Sequence, residues 1–272
     1  MATEIDLTER TIDHAQIRDR LVRHRVPPAL ADRAAEFLPD EAVGVALYGS
    51  FARGDEGAES DVDLVVVTDR RLQPSADPGV SINSYSPNEL LEAAGSLFAF
   101  HLRRDGVAIH GAHAVEALLA GAHAPDPYSL LNRIRHLSAV VGVRDADVES
   151  HLHGLVRVTK YLLRSAMYAE AIRDGKPSFS VAELAERAAE PGLVALLSSH
   201  PSVAPAPSIE LLRELTRRLA GLLGPLPEPP RGTFEAIAVT AWSKDRDLAR
   251  LAILAMGDGS DVPYDLLGRV IL

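Results

Sequence analysis

The chain has 272 residues, a formal net charge of −10 and no cysteine. The lack of cysteine excludes disulfides, thiolate zinc sites and cysteine nucleophiles, and the acidic balance argues against a protein that coats nucleic acid. No apolar run reaches the roughly 18 residues of a membrane span, and the N-terminus is charged from Glu4 onward. We therefore expect a cytoplasmic protein without a signal peptide or membrane segment.

In the first 110 residues, short sequence patterns typical of strands alternate with patterns typical of helices. Apolar periodicity predicts helix over residues 14–38, interrupted at Pro27 and Pro28. Short apolar or alternating runs predict four strands, over residues 43–48, 61–67, 80–85 and 107–110. Ser86, followed by proline and by glutamate three residues later, predicts the start of a helix that ends near residue 94, and a second helix follows over 97–104.

The rest of the chain has the 3.6-residue periodicity of helices. Amphipathic segments predict helices over residues 127–143, 147–173, 181–189, 209–223 and 234–256. We therefore predict an α+β protein, with a small mixed-sheet domain over residues 1–110 and an all-helical bundle domain over residues 111–272.

One segment, residues 47–67, carries residues suited to phosphate chemistry. Gly49 follows a strand and lets a phosphate approach the backbone, and Ser50 adds a hydroxyl near the start of a helical turn. Asp61 and Asp63 alternate along a strand, so we expect their side chains on one face. Two neighbouring carboxylates repel each other unless a cation lies between them, and Mg²⁺ accepts such oxygen ligands together with substrate phosphate.

This segment resembles the signature of the DNA polymerase β-like nucleotidyltransferase superfamily, which is a strand, Gly-Ser, a spacer and Asp-x-Asp at the start of a second strand. The resemblance implies that Asp61 and Asp63 are catalytic and hold two Mg²⁺ ions. It also implies that Gly49 and Ser50 bind the β- and γ-phosphates of a nucleoside triphosphate, with ATP the commonest choice in similar proteins. The helical second half looks like the kanamycin nucleotidyltransferase and minimal nucleotidyltransferase branch.

The third strand departs from that family pattern. Similar proteins usually place a third carboxylate there, whereas Ser81 and Asn83 occupy the corresponding face in this chain. Asp69 and Asp77 in the flanking loop are the nearest carboxylates that could replace it. A two-carboxylate site could still work if the metal lowers the pKa of the acceptor or if the helical domain supplies the base. A non-catalytic nucleotide-binding sensor is the alternative.

Four further residues are candidates for nucleotide binding. Arg53 lies one helical turn after Gly49, and Ser60 immediately precedes the aspartate pair. Lys160 and Arg164 share one face of the predicted helix over 147–173, where they could cover the triphosphate from the side opposite the aspartates. A phosphate-facing Lys160 would have no partner in the ligand-free protein, so its replacement should leave stability unchanged. His101 is interpreted as structural.

The acidic surface favours a small cationic acceptor, such as an aminoglycoside-like antibiotic whose hydroxyl receives the nucleotidyl group. A toxin-like or regulatory transferase that modifies tRNA or a protein is the alternative, and salt dependence of binding would separate the two. A homodimer is an open possibility, and no membrane partner is expected.

Overall fold

The computed structural model describes residues 12–58, 60–69, 79–143, 148–198, 202–229, 232–257 and 272. It divides the chain into two compact units, a first unit over Met1–Ala124 and a second unit over Pro125–Leu272. None of the helices within these described ranges is long and apolar enough to cross a membrane.

The first unit contains a mixed four-stranded sheet. Its strands are β1 (Gly44–Tyr48), β2 (Val62–Val67), β3 (Val80–Tyr85) and β4 (Val107–His110), in the order β3-β2-β1-β4. The pairs β1–β2 and β1–β4 are antiparallel, whereas β2 and β3 run parallel. The four predicted strands are therefore present, and the predicted fold class is confirmed.

Helices cover both faces of this sheet. On one face, the apolar sides of α1 (His14–Arg23) and α2 (Pro28–Glu36) pack against buried strand residues such as Leu47 and Leu64. On the other face, Val65 and its neighbours pack against three helices, namely α4 (Pro87–Glu92), α5 (Leu97–Asp105) and α6 (Ala112–Leu119). Burial on both faces explains why the central strand β2 reads as an almost unbroken apolar run.

The boundary between the units differs from the prediction. We expected the first domain to end at residue 110, but α6 begins after that point and packs its buried residues Val115 and Leu118 onto the sheet. The division falls after Ala124 instead. The predicted elements include no helix over residues 112–119, and the prediction counts these residues with the second domain, whereas the structure shows a helix there that packs on the sheet of the first unit.

Every element described in the second unit is helical. The elements are α7 (Pro127–Leu137), a 3₁₀ helix (Ser138–Gly142), α8 (Leu152–Arg173), α9 (Val181–Arg187), α10 (Gly192–Leu197), α11 (Ile209–Leu223), α12 (Phe234–Ala241) and α13 (Arg246–Met256). The long helix α8 packs against α7, α11 and α13. At Gly154, a Cβ atom would collide with the carbonyl oxygen of Ala255, so only glycine permits this close approach of α8 to α13.

Two predicted helices are divided in the structure. The segment over 127–143 changes from α to 3₁₀ geometry at Ser138. The segment over 234–256 ends its first helix at Ala241 and starts a second one after Asp245, whose side chain accepts a hydrogen bond from the backbone N–H of Leu248. An aspartate cap of this kind marks the start of a new helix. Here it lies within a segment whose apolar spacing continues without interruption and therefore predicts a single helix.

Candidate functional site

The turn after β1 brings a glycine against a carboxylate. Gly49 has φ 76° and ψ −153°, a conformation that is essentially restricted to glycine, and the short helix α3 (Ser50–Arg53) follows it. A Cβ atom at position 49 would lie only 2.5 Å from Oδ2 of Asp63. Glycine is therefore required here both by the backbone conformation and by the closeness of Asp63, and the structure brings these two predicted site residues together.

Asp63 lies at the centre of a polar area on one face of the sheet. It is half-buried on β2, where its partner across the antiparallel pair is Tyr48 and its partner in the parallel pair is Ser81. Side chains at directly paired positions project from the same face. Asp61 is solvent-exposed and precedes β2, which begins at Val62. Strand alternation therefore fixes the side-chain direction of Asp63, whereas Asp61 lies just outside the strand.

The polar area contains no further carboxylate on β3. The register pairs Asp63 with Ser81 and Val65 with Asn83, which puts Ser81 and Asn83 on the same face as Asp63. The side-chain amide of Asn83 donates a hydrogen bond to the hydroxyl oxygen of Tyr48 at 2.8 Å. Neither side chain can act as a base at neutral pH.

Of the two flanking carboxylates, the structure describes only Asp69. Asp69 is exposed beyond the far end of β2, and six residues at the strand rise put it about 20 Å from Asp63 along the chain. The suggestion that Asp69 supplies a third carboxylate is therefore wrong. Asp77 lies outside the described residues.

Arg53, at the end of α3, is held in place by two acceptors. Its side chain is only 19% exposed, and its Nη2 lies 3.1 Å from the carboxylate of Asp55. Its Nη1 lies 3.4 Å from Nε2 of His101, on α5. Burial, followed by the positive charges of Arg53 and Arg104, lowers the pKa of His101 to about 3, so the ring is neutral at physiological pH. The sequence predicts only a structural role for His101, because nothing local in the sequence links it to residue 53.

The two serines of the predicted site have different roles in the structure. Ser50 is the first residue of α3, and its carbonyl oxygen accepts hydrogen bonds from the backbone N–H groups of Gly54 and Asp55. The hydroxyl of Ser60 accepts a hydrogen bond from the backbone N–H of Gly57 at 2.9 Å and so closes the turn before Asp61. Ser60 thus shapes the loop that leads to the aspartates.

Lys160 and Arg164 lie on α8 in the second unit. Lys160 is 6% exposed, and its Nζ donates a hydrogen bond to the backbone carbonyl of Ser198, at the end of α10, at 2.8 Å. The expectation that Lys160 has no partner in the ligand-free protein is therefore wrong. Burial, and to a lesser extent the charge of Arg164, lowers the pKa of Lys160. Whether these two residues bind a nucleotide stays a prediction.

The donor set of the first unit fits a magnesium ion bound together with a phosphorylated substrate. Asp63 provides a carboxylate next to the Gly49 turn, and Asp61, two residues earlier in the chain, provides an exposed one. The described parts of the chain hold no group of three or more metal-ligating side chains that could form an all-protein cage. Mg²⁺ characteristically takes one or two carboxylates and completes its shell with water and substrate phosphate oxygens.

Comparison with known families agrees with this geometry. The family model for a nucleotidyltransferase domain matches residues 30–94, a range that includes β1, the Gly49 turn, both aspartates and β3. Comparison with curated proteins found no match. The family match indicates nucleotidyl transfer as the general class of activity. It does not extend into the second unit, so the likeness to the kanamycin nucleotidyltransferase branch stays a prediction.

Proposed function

We propose that this nucleotidyltransferase domain moves a nucleoside monophosphate from a nucleoside triphosphate to a hydroxyl group of an acceptor, with Mg²⁺ as cofactor. The observation that carries the proposal is the packing of the Gly49 turn against Asp63, with 2.5 Å between a Cβ built at position 49 and Oδ2 of Asp63. This contact places backbone that can approach a phosphate directly beside a carboxylate that can hold its metal ion.

The residues of the Gly49 turn and the two aspartates each have a defined part in this reaction. Asp61 and Asp63 hold the cation, which supplies positive charge to the triphosphate and its leaving group. The backbone after Gly49, together with the Ser50 hydroxyl, binds phosphate oxygens, and Arg53 adds a guanidinium. The acceptor oxygen bonds to the α-phosphorus as the bond to the β-phosphate breaks, and pyrophosphate leaves. The hydroxyl proton leaves to water, since neither Ser81 nor Asn83 can take it.

We propose a small cationic molecule, such as an aminoglycoside-like antibiotic, as the acceptor. Support comes from charge, because the chain carries −10 overall and the first 110 residues account for −8 of it. Such a surface attracts a polycationic acceptor and repels an RNA backbone. Transfer to tRNA or to a protein is the competing outcome, and we take ATP as the first nucleotide to test.

A second candidate is a nucleotide sensor that binds without transfer. It is favoured by Ser81 and Asn83, which put no carboxylate on the β3 side of Asp63. The two candidates share the binding site and differ only in whether a nucleotidyl group reaches an acceptor.

The test uses the full chain with each of the four α-³²P-labelled nucleoside triphosphates, with Mg²⁺ or EDTA, and with a panel of aminoglycosides, tRNA and protein. Asp63→Asn and Asp61→Asn remove the proposed metal ligands, and Asp69→Asn is the matched control, because Asp69 is an exposed aspartate beyond the far end of the same strand. We expect Mg²⁺-dependent labelling that the first two variants lose and the control retains.

Each other result has a definite meaning for the proposal. Nucleotide binding that needs Asp63 but leads to no transfer favours the sensor. If tRNA is labelled, and the labelling weakens steeply with ionic strength, the acceptor is RNA and not a small molecule. Wild-type activity in Asp63→Asn, or no nucleotide binding by the wild-type chain, overturns the proposed function.

A further inference from the structure

The guanidinium of Arg53 is fixed from two sides by residues distant from each other in the chain. Nε donates to Oδ2 of Asp55 at 3.3 Å, and Nη2 lies 3.1 Å from Oδ1 of the same carboxylate. Nη1 meets Nε2 of His101, 48 residues further along the chain. With only 19% of its side chain exposed, Arg53 is not a solvated loop arginine.

His101 can serve only as the acceptor in this contact, because a guanidinium carries donors alone. Nε2 is therefore unprotonated, and the proton of the neutral ring is on Nδ1. The carboxylate of Asp105 lies 3.6 Å from Nε2, further away than Nη1 of Arg53. The low pKa of His101, about 3, keeps the ring neutral, so that one of its two nitrogens remains an acceptor. The ring of Tyr48, edge-on to the imidazole with centroids 6.0 Å apart, restricts its orientation.

This arrangement leaves part of the guanidinium available for a ligand. Of its five N–H groups, three point at Asp55 and His101, and one on each terminal nitrogen has no partner among the residues that the structure describes. The backbone N–H of Arg53 donates to the carbonyl of Gly49, so the side chain starts one helical turn from the glycine that contacts Asp63. A planar pair of N–H groups matches the geometry of phosphate oxygens.

We propose that His101 is a positioning residue that holds Arg53 in the orientation in which its remaining N–H groups bind the phosphates of the nucleotide. The proposal rests on the proposed function, since it assumes a nucleoside triphosphate at the Gly49 turn. It adds that a neutral hydrogen-bond acceptor at position 101, and not merely a side chain of the right size, determines nucleotide affinity.

The test measures binding of MgATP and of magnesium tripolyphosphate to the full chain by isothermal titration calorimetry. His101→Gln keeps an acceptor near the position of Nε2, and His101→Met has a similar shape but lacks a good acceptor, so the pair separates the hydrogen bond from packing. We expect His101→Met to weaken MgATP binding by about tenfold and His101→Gln to remain within about threefold of wild type. Tripolyphosphate should follow the same order, because the contact is to phosphate.

A second pair of variants shows whether His101 acts through Arg53. Arg53→Met should weaken MgATP binding by about tenfold or more, and adding His101→Met to it should cause no further loss. Arg53→Lys keeps the charge but cannot contact Asp55 and His101 together, so it should bind nearly as weakly as Arg53→Met. The comparison of Arg53→Lys with Arg53→Met does not contain a His101 variant, so it tests the fixed orientation of Arg53 even if His101→Met does not fold.

Several outcomes overturn the inference. Equal losses in His101→Gln and His101→Met, a full additional loss in the double variant, or wild-type affinity in Arg53→Lys each show that His101 does not position Arg53. If Asp63→Asn weakens MgATP binding but Arg53→Met does not, the inference fails while the proposed function stands. If the wild-type chain does not bind MgATP, both fail.

Discussion

Replacement of Gly49 by alanine is the sharpest test of the site geometry. The backbone there, with φ 76° and ψ −153°, costs a residue other than glycine about 1–3 kcal/mol. The new Cβ would also lie 2.5 Å from Oδ2 of Asp63, so that the oxygen must withdraw by about 0.9 Å to reach an ordinary contact distance. A displacement of about 1 Å in a reacting or metal-binding group costs on the order of 100-fold in rate.

The chain offers a matched control for this substitution. Gly224 ends α11 with φ 77° and ψ −168°, nearly the same backbone conformation, but no atom lies within 4 Å of a Cβ built there. Gly224→Ala therefore measures backbone strain alone, and Gly49→Ala measures strain plus the displacement of Asp63.

Urea unfolding and MgATP binding together separate these effects. Both variants should lose about 1–3 kcal/mol of unfolding free energy, but only Gly49→Ala should lose Mg²⁺-dependent nucleotide binding. In an Asp63→Ala background, Gly49→Ala should cost no more stability than Gly224→Ala does in the wild-type chain. If Gly49→Ala binds MgATP as the wild type does, Asp63 is not the metal ligand that the packing of the turn implies, and our interpretation of the site is refuted.

Three further predictions concern stability. Gly154→Ala should lose at least about 1–3 kcal/mol, since its Cβ meets the α13 backbone, whereas Gly221→Ala, in open space on α11, should gain up to about 1 kcal/mol on urea unfolding. Lys160→Ala should lose about 1–3 kcal/mol through its lost hydrogen bond and packing, while Lys176→Ala, at an exposed position, should lose almost none by the same assay. The pKa of His101 is about 3 in the folded protein and 6.5 in the unfolded chain. Above pH 6.5 the ring is neutral in both states, so its burial does not lower the free energy of unfolding. As the pH falls from 6.5 towards 3, the unfolded chain binds a proton that the folded protein does not, and the free energy of unfolding decreases. Between pH 7 and 4.5 the wild type should lose about 2.5 kcal/mol more than His101→Gln, and equal losses would show that the imidazole is not held neutral.

The strands and the central contact of the site could be predicted because both depend on local sequence. Each strand is a short apolar or alternating run bounded by polar residues, and each lies close to its predicted position. Gly49 and Asp63 are 14 positions apart, but Gly49 directly follows β1 and Asp63 lies on β2, its antiparallel neighbour, so that predicting the two strands nearly determines the pairing of Tyr48 with Asp63.

The contacts made by longer-range packing could not be predicted in this way. His101 meets Arg53 only because α5 lies on the same face of the sheet as Tyr48, and no periodicity of either segment encodes that arrangement. The break before Asp245 was missed for a related reason, since the apolar stripe continues through it and only the cap distinguishes two helices from one.

Lys160 shows that helical spacing predicts which side chains share a face but not what that face contacts. A spacing of three or four residues correctly puts basic side chains on one face of α8, but the same spacing describes a face turned to solvent, to a ligand or to other helices. In the structure, Arg157 donates to the carbonyl of Leu254, and Lys160 to that of Ser198. Both carbonyls lie at the C-terminal ends of helices, where backbone oxygens lack partners within their own helix and carry partial negative charge. A positively charged side chain is suited to that position for the same electrostatic reason that it is suited to a phosphate. Charge and spacing therefore cannot separate the two roles, whereas burial and partner identity can.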